Sequence, residues 1–337
     1  MPGETAQPPD VSASDSRVPI VGIGASAGGL KALWGFFAHT PPESGMAFVV
    51  ILHLAPAFES NVAGNFDIYT VKPNGTGLVR LTSSADQEIS ASWSADGQQI
   101  AFASNRGGAW DLWIMNADGS DQRRLTSDAA FDEIPGFSPD GEWIVFDSTR
   151  DAPIACPTPN GACDAYTEVW KVRVDGSELT RLTFNTATDR FPTFSPDGSR
   201  IALASRRDGN IEIYSIAADG SDQTRITNRD GNDSQPSWSP DGTRLAYRVD
   251  APGAADGSGD IWLMDADGGN ARQLTSDAAP DLRPAWSPSG TQIAFRSLRA
   301  PAGIWIMKVD GTRERYLTTA GDADRYPDWQ PLPAELD

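Results

Sequence analysis

Short runs of β-branched and aromatic residues, each closed by a polar turn, cover most of the chain from about residue 65 onward. In each run an aromatic residue precedes a turn signal such as WSPDG, and this pair recurs at Trp93, Phe137, Phe194, Trp238, Trp286 and, truncated, at Trp329. The spacings of 44, 57, 44, 48 and 43 residues define six units of about 43 residues with two insertions. Repeats of this length are typical of propellers and other repeat folds.

Each unit contains the signals of four strands. The aromatic residue ends a first strand, and Pro and Gly of the turn favour a tight hairpin into a second strand, such as IAFAS from Ile100. A third strand follows, such as DLWIM from Asp111, and a fourth ends at Leu125-Thr126. The pattern predicts an all-β fold, a six-bladed β-propeller of four-stranded antiparallel blades. The 32 Gly, 25 Pro and 11 Trp residues agree with such a turn-rich sheet protein.

The sixth blade has to be assembled from both ends of the repeat region. Its first strand is expected from Tyr326 to Gln330, and its third and fourth strands from Asp67 to Val71 and from Leu78 to Thr82. MAFVVIL, from Met46, resembles the second strands, so we expect Ala47 to Leu52 to fill the remaining place. The alternative is a three-stranded sixth blade.

The first sixty residues do not share the repeat. Residues 1–17 are polar and Pro-rich and are expected to form a disordered tail, and residues 18–60 read as strand, Gly-rich turn, helix and strand, a short βαβ-like segment. The expected organisation is therefore a tail, an N-terminal fragment over 18–60 and a propeller over 61–337.

The repeat, with WSPDG followed by a strand such as IAF and then by DIWLM and a final Leu-Thr, resembles the TolB-type propeller over about residues 65–331. The resemblance implies a soluble, mostly extracytoplasmic protein that docks other proteins across the mouth of its channel. This suggests a periplasmic or extracellular location, although no export signal is visible in the sequence.

GIGASAGG, at residues 22–29, and the segment after it resemble the opening of the CheB-type chemotaxis methylesterase domain. The resemblance implies Ser26 as nucleophile and His53 as base, but the Asp that completes that family's site has no matching segment. We therefore expect no active catalytic residue, with Ser26 and His53 as vestigial candidates and a residual esterase as an alternative.

An acidic residue stands five positions before each repeat aromatic, at Glu88, Asp132, Asp189, Asp233, Asp281 and Asp324. The repeat places all six at one mouth of the channel. They could cap their own loops, for instance by binding Arg106, Arg150 or Arg206, or form a ring that attracts a cationic ligand or a protein partner. The expected function is non-catalytic protein or ligand binding through this face; the alternative is a glycan-active enzyme that uses paired carboxylates.

The net charge of −19 and the pI of about 4.4 argue against a nucleic-acid partner, and no apolar run reaches the roughly 18 residues of a membrane span. No histidine follows residue 60, so neither a metal site nor a cofactor is expected, and the chain is expected to be a monomer. Cys156 and Cys163 stand seven apart in a loop and could form a disulfide or remain free thiols.

Overall fold

The computed structural model describes residues 20–25, 47–52, 56–61, 65–151, 166–254, 258–318 and 324–331. The chain divides into two units, residues 1–53 and 54–337. The predicted tail, the predicted N-terminal helix, Ser26, His53 and both cysteines lie outside the described residues.

The described residues of the first unit form two strands, Ile20–Ala25 and Ala47–Leu52. They pair in parallel, with Ile20 opposite Ala47 and Ala25 opposite Leu52. Parallel neighbours require a crossover connection rather than a hairpin, so this pairing agrees with the predicted βαβ-like segment.

The second unit is the predicted six-bladed propeller, built of six four-stranded antiparallel sheets. Within the described ranges it contains no helix. Blades 1 to 5 each use four consecutive strands. From the inner strand outward, blade 1 consists of Glu88–Trp93, Gln99–Ser104, Asp111–Asn116 and Arg123–Arg124, and blade 2 consists of Asp132–Phe137, Trp143–Ser148, Glu168–Arg173 and Thr180–Arg181. Blade 3 consists of Asp189–Phe194, Arg200–Asp208, Asn210–Ala217 and Thr224–Arg225, and blade 4 consists of Asn232–Trp238, Arg244–Asp250, Asp260–Asp265 and Arg272–Gln273. Blade 5 consists of Asp281–Trp286, Gln292–Ser297, Gly303–Lys308 and Arg315–Tyr316.

The Ser-Pro-Asp-Gly turns form for local reasons. In blade 2, the Asp140 carboxylate accepts a hydrogen bond of 2.9 Å from the Glu142 backbone N–H, and Gly141 takes a φ of 71°, which favours glycine. The Asp-Gly turn between the third and fourth strands packs against the preceding blade. In blade 1, a Cβ on Gly119 would lie 2.6 Å from the carbonyl oxygen of Leu81 in blade 6. Glycine is therefore needed at both turns.

Blade 6 joins the two ends of the propeller, but not with the predicted second strand. Its strands, from the inner one outward, are Arg325–Asp328, Ala57–Ser60, Asp67–Thr70 and Val79–Arg80. The prediction that Ala47–Leu52 fills the second place is wrong, because those residues pair with Ile20–Ala25. AFES at residues 57–60 repeats the AFxS pattern of the second strands of blades 1 and 5, so the propeller begins before the predicted boundary at residue 61.

Hydrophobic side chains from neighbouring blades form the core between them. Phe58 packs in one cluster with Ile304 and Ile306 of blade 5, whereas Ala57 packs in another with Phe102 of blade 1. Adjacent residues of a strand face opposite sides of its sheet, so this short strand contacts both neighbouring blades. Phe58 is completely buried.

Candidate functional site

Because neighbouring strands are antiparallel, different strand ends and turns lie at the two ends of the propeller channel. Inner strands begin, second strands end and third strands begin at one end, which we call the upper mouth; in blade 2 these positions are Asp132, Ser148 and Glu168. The Ser-Pro-Asp-Gly turns lie at the opposite end, the lower mouth. Each insertion connects a second strand to a third strand at the upper mouth. The first lies between Ser148 and Glu168, and the second lies between Asp250 and Asp260.

The six predicted acids all lie at the upper mouth, and each of their side chains is completely buried. This holds for Glu88, Asp132, Asp189, Asp233, Asp281 and Asp324. A carboxylate removed from water is costly unless it is paired, so their contacts decide what they do.

Four of these acids form an ion pair with an arginine at or just after the end of the second strand of the same blade. Asp132 accepts bonds of 2.6 Å from both Ser148 Oγ and Arg150. The equivalent pairs are Glu88 with Arg106 at 3.2 Å, Asp189 with Arg207 at 3.0 Å and Asp281 with Arg299 at 2.6 Å. The partner in blade 3 is thus Arg207, whereas the sequence pattern suggested Arg206. These contacts are those expected of loop caps.

The same arginines cover the third-strand tryptophans. The Arg106 guanidinium lies 4.3 Å from the ring centroid of Trp113, and that of Arg150 lies 4.9 Å from the ring of Trp170. Each of these arginines therefore contacts both a buried acid and an aromatic ring. This structural contact accounts for the repeated Trp without any need for it to bind a ligand.

Every inner strand contains a β-bulge at the same place. The residue two positions after the acid has a φ between 55° and 58° in all six blades: Ser90, Ile134, Phe191, Gln235, Arg283 and Tyr326. A positive φ is unfavourable for residues other than glycine and persists only where the surroundings enforce it. The Ser90 N–H donates to Glu59 Oε2 at 2.6 Å, and the Arg283 N–H donates to Gln235 Oε1 at 2.8 Å.

The bulges direct one side chain per blade into the central channel. All six bulge residues line a channel segment of about 150 Å³. A second cavity, of about 290 Å³, opens at the upper mouth; its lining includes Arg190, Arg206, Arg248 and Arg283. Phe191 and Tyr326 supply aromatic walls, and no Asp or Glu lines it. The charged side chains that line this cavity are therefore all arginines.

Comparisons with known proteins agree with this architecture. A family model described as the TolB beta propeller domain matches residues 185–256, and one described as the CheB methylesterase matches residues 21–71. TolB from Acinetobacter baumannii superposes with a TM-score of 0.70 and 20% identity, over 89% of this chain and 70% of that chain. The propeller therefore has the fold of TolB propellers, and we refer to it by this likeness as a TolB-like propeller.

Other structures share the fold of this TolB-like propeller. A putative TolB from Agrobacterium tumefaciens has a TM-score of 0.62 and 20% identity, over 82% of this chain and 91% of that chain. An oligogalacturonate lyase from Vibrio parahaemolyticus has a TM-score of 0.55 and 16% identity, over 78% of this chain and 74% of that chain. No curated protein sequence matches this chain. The CheB match runs into Ala57–Ser60 and Asp67–Thr70, which belong to blade 6.

The TolB-like propeller also contains a second set of repeated acids that the sequence analysis missed. An acid at the start of the third strand binds an arginine thirteen positions later: Asp67 with Arg80 at 2.8 Å, Asp111 with Arg124 at 2.6 Å, Glu168 with Arg181 at 3.0 Å and Glu212 with Arg225 at 2.6 Å. The constant spacing of thirteen residues between acid and arginine could have revealed these pairs in the sequence. These pairs fasten the short fourth strands to the blades.

Among the described residues, no group of three or more His, Cys, Asp or Glu side chains is arranged to hold a metal ion. No helix in these ranges is long and apolar enough to cross a membrane.

Blade 4 departs from the repeated pair of acid and arginine. Val249 and Ala251 stand where the other complete blades have Ser and Arg, and no described arginine forms an ion pair with Asp233. Burial raises the pKa of Asp233 to about 7, and repulsion from Glu212 contributes to the increase.

Asp233→Asn should therefore stabilise the protein increasingly as the pH rises from 5 to 8. The pKa of Asp233 is higher in the folded state, so the folded protein holds a proton that the unfolded chain has released, and this preference is lost as the pH passes about 7. Thermal unfolding of both proteins checks this, and the gain in Tm should grow by a few degrees over the range.

Asp241→Asn is the matched control. Bonds from Ser239 and Thr243 lower the pKa of Asp241 to about 2, so its titration ends well below this range. Its effect on Tm should be constant between pH 5 and 8. A constant effect of Asp233→Asn would mean that Asp233 stays charged.

Proposed function

We propose that this TolB-like propeller binds a ligand or a partner through its upper mouth and performs no catalysis. The observation that supports this most strongly is the cavity of about 290 Å³ that opens there, which combines arginines with aromatic walls. Concave sites with apolar walls and a few polar groups are the usual form of binding pockets. The longest second and third strands of the propeller, Arg200–Asp208 and Asn210–Ala217, form one side of this mouth.

The repeated carboxylates favour binding over glycoside chemistry. That chemistry needs one carboxyl group that donates a proton and one carboxylate that acts as base or nucleophile, both facing the substrate. Here Glu88, Asp132, Asp189 and Asp281 are buried and occupied by arginines. The lyase that shares this fold does so at 16% identity, a level at which the fold alone is transferable. The esterase alternative depends on Ser26 and His53.

The predicted cationic ligand of the acidic ring remains a prediction. Such a ligand would have to displace arginines such as Arg150, which lies 2.6 Å from Asp132, before it could reach the carboxylates. The arginines that line the cavity favour a partner that presents negative charge instead.

Reversing the charge of Arg206 tests the use of the upper mouth. Arg206 is exposed and lines the cavity. We expect Arg206→Glu, in the immobilised full chain, to lower the retention of components from a native cell extract at least threefold. Quantitative mass spectrometry of the retained material measures the effect.

Arg313→Glu is the matched control, because Arg313 is an exposed arginine on the turn between the third and fourth strands of blade 5, at the lower mouth. It makes the same change in net charge and should leave retention unchanged. Equal losses in both variants, or a loss only in Arg313→Glu, would contradict binding at the upper mouth.

A further inference from the structure

Arg283 occupies an unusual position in the channel. It stands at the bulge of blade 5, where the equivalent residues are Ser90, Ile134, Phe191, Gln235 and Tyr326. The bulge therefore places a guanidinium, rather than a neutral side chain, in the channel.

The Arg283 guanidinium is held between aromatic rings. Its centre lies 4.3 Å from the ring centroid of Phe191 and 3.8 Å from that of Tyr326, and it donates a hydrogen bond to Tyr326 Oη. These contacts restrict the side chain before any ligand arrives, so little conformational entropy remains to be lost on binding.

No carboxylate among the described residues forms an ion pair with Arg283. The ion pairs of the neighbouring arginines are Arg190 with Asp147 at 3.1 Å and Arg248 with Asp250 at 2.8 Å, and Arg283 has none. Burial lowers the pKa of Arg283 to about 10, with repulsion from Arg190 and Arg248 contributing. Arg283 is thus charged at neutral pH and would be stabilised by an anion.

The charged side chains that line the cavity are all positive. Four arginines line it: Arg190, Arg206, Arg248 and Arg283. Three carboxylates contact them from behind, since Glu133 lies 3.8 Å from Arg190 in addition to Asp147 and Asp250 on their own arginines. The lining itself therefore carries positive charge, and Arg283, like the exposed Arg206, forms no ion pair among the described residues.

We propose that the cavity at the upper mouth is a binding site for a small carboxylate-bearing molecule, whose carboxylate pairs with Arg283 and whose body lies against the walls formed by Phe191 and Ile211. This inference rests on the proposed use of the upper mouth and names its ligand class. Arginine binds a carboxylate through two parallel N–H···O bonds, and a guanidinium has five N–H groups, so donors remain after the bond to Tyr326. A volume of about 290 Å³ suits a compact organic acid.

Three probes of nearly equal shape test the charge preference on the full-length protein: benzoate, its neutral analogue benzamide and the cation benzylamine. We expect benzoate to bind with a Kd of about 1 mM or tighter, by calorimetry or ligand-observed NMR. Benzamide and benzylamine should bind at least tenfold more weakly. Equal binding of all three, or preference for benzylamine, would overturn the proposal, and the latter would favour the predicted acidic ring.

Substitutions assign the site. Arg283→Gln should lower benzoate affinity at least tenfold, and Arg206→Gln, at the exposed rim, should lower it severalfold without a change in Tm. Arg313→Gln, at the lower mouth, should leave the affinity unchanged. The Arg206 variant keeps the test valid if Arg283→Gln does not fold. Benzoate affinity that is insensitive to the cavity variants would overturn the assignment.

The two proposals fail separately. If wild-type protein does not bind benzoate, but Arg206→Glu still lowers retention more than Arg313→Glu, the ligand class is wrong and binding at the upper mouth stands. If retention is also unaffected by Arg206→Glu, both are wrong.

Discussion

A chain that begins at residue 65 is expected to lose most of its folding free energy, whereas a chain that begins at residue 54 should keep a folded propeller. The longer deletion removes Ala57–Ser60, which separates Arg325–Asp328 from Asp67–Thr70 in blade 6. It also removes Glu59, which accepts the Ser90 N–H and pairs with Arg325 at 2.6 Å. An open propeller exposes unpaired strand edges, which promote association. Thermal unfolding and light scattering of the two truncations measure both effects.

A single substitution measures how much the packing of Phe58 contributes to the stability of the propeller. Phe58→Ala should cost about 3–5 kcal/mol, because it leaves a large cavity between blades 5 and 6. Phe184→Ala is the matched control: Phe184 is 73% exposed, and its loss should change stability by less than about 0.5 kcal/mol. Similar stability of the two truncations, or of the two Phe variants, would mean that Ala57–Ser60 does not close the ring.

Replacing Asp132 with Ala should destabilise the protein by about 3–5 kcal/mol, the usual cost of breaking a buried ion pair. The change removes bonds of 2.6 Å to Ser148 Oγ and to Arg150, whose side chain is only 10% exposed. The remaining guanidinium would be poorly solvated, and the strand ends it connects would loosen. Chemical denaturation gives the free energy of unfolding.

Asp128 provides a control on the same arginine. It pairs with Arg150 at 3.0 Å, but its side chain is 43% exposed, so Asp128→Ala should cost less than about 1 kcal/mol. If Asp132→Ala were equally mild and instead abolished binding, Asp132 would be a ligand group rather than a loop cap.

The sequence predicts the repeat well, because each blade carries its own turn and strand signals. The number of blades, the order of strands and the two-ended sixth blade follow from these signals, and the structure confirms them. The second strand of blade 6 is misplaced from the sequence because MAFVVIL from Met46 and AFES from Ala57 both resemble the other second strands. Ala47–Leu52 is more apolar, but AFES has the Ser at the position of Ser104 and Ser148.

The candidate site is less predictable, since its chemistry depends on positions where the repeats differ. The acid before each aromatic residue is repeated and was easily found, but its burial and its arginine partner depend on how strand ends meet in space. Most other blades have a residue other than arginine at the positions equivalent to Arg190, Arg248 and Arg283. Only the fold brings these three side chains to one cavity.

The bulge in each inner strand has a consequence for how such a channel can diverge. Its geometry is imposed by the backbone and by hydrogen bonds from neighbouring blades, and it accommodates Ser, Ile, Phe, Gln, Arg and Tyr alike. The side chain at this point differs from blade to blade while the bulge is retained, and it determines the surface that a molecule in the channel meets. A single substitution there can therefore give a new specificity while the frame stays intact, which makes these six positions the natural targets for redesigning the channel.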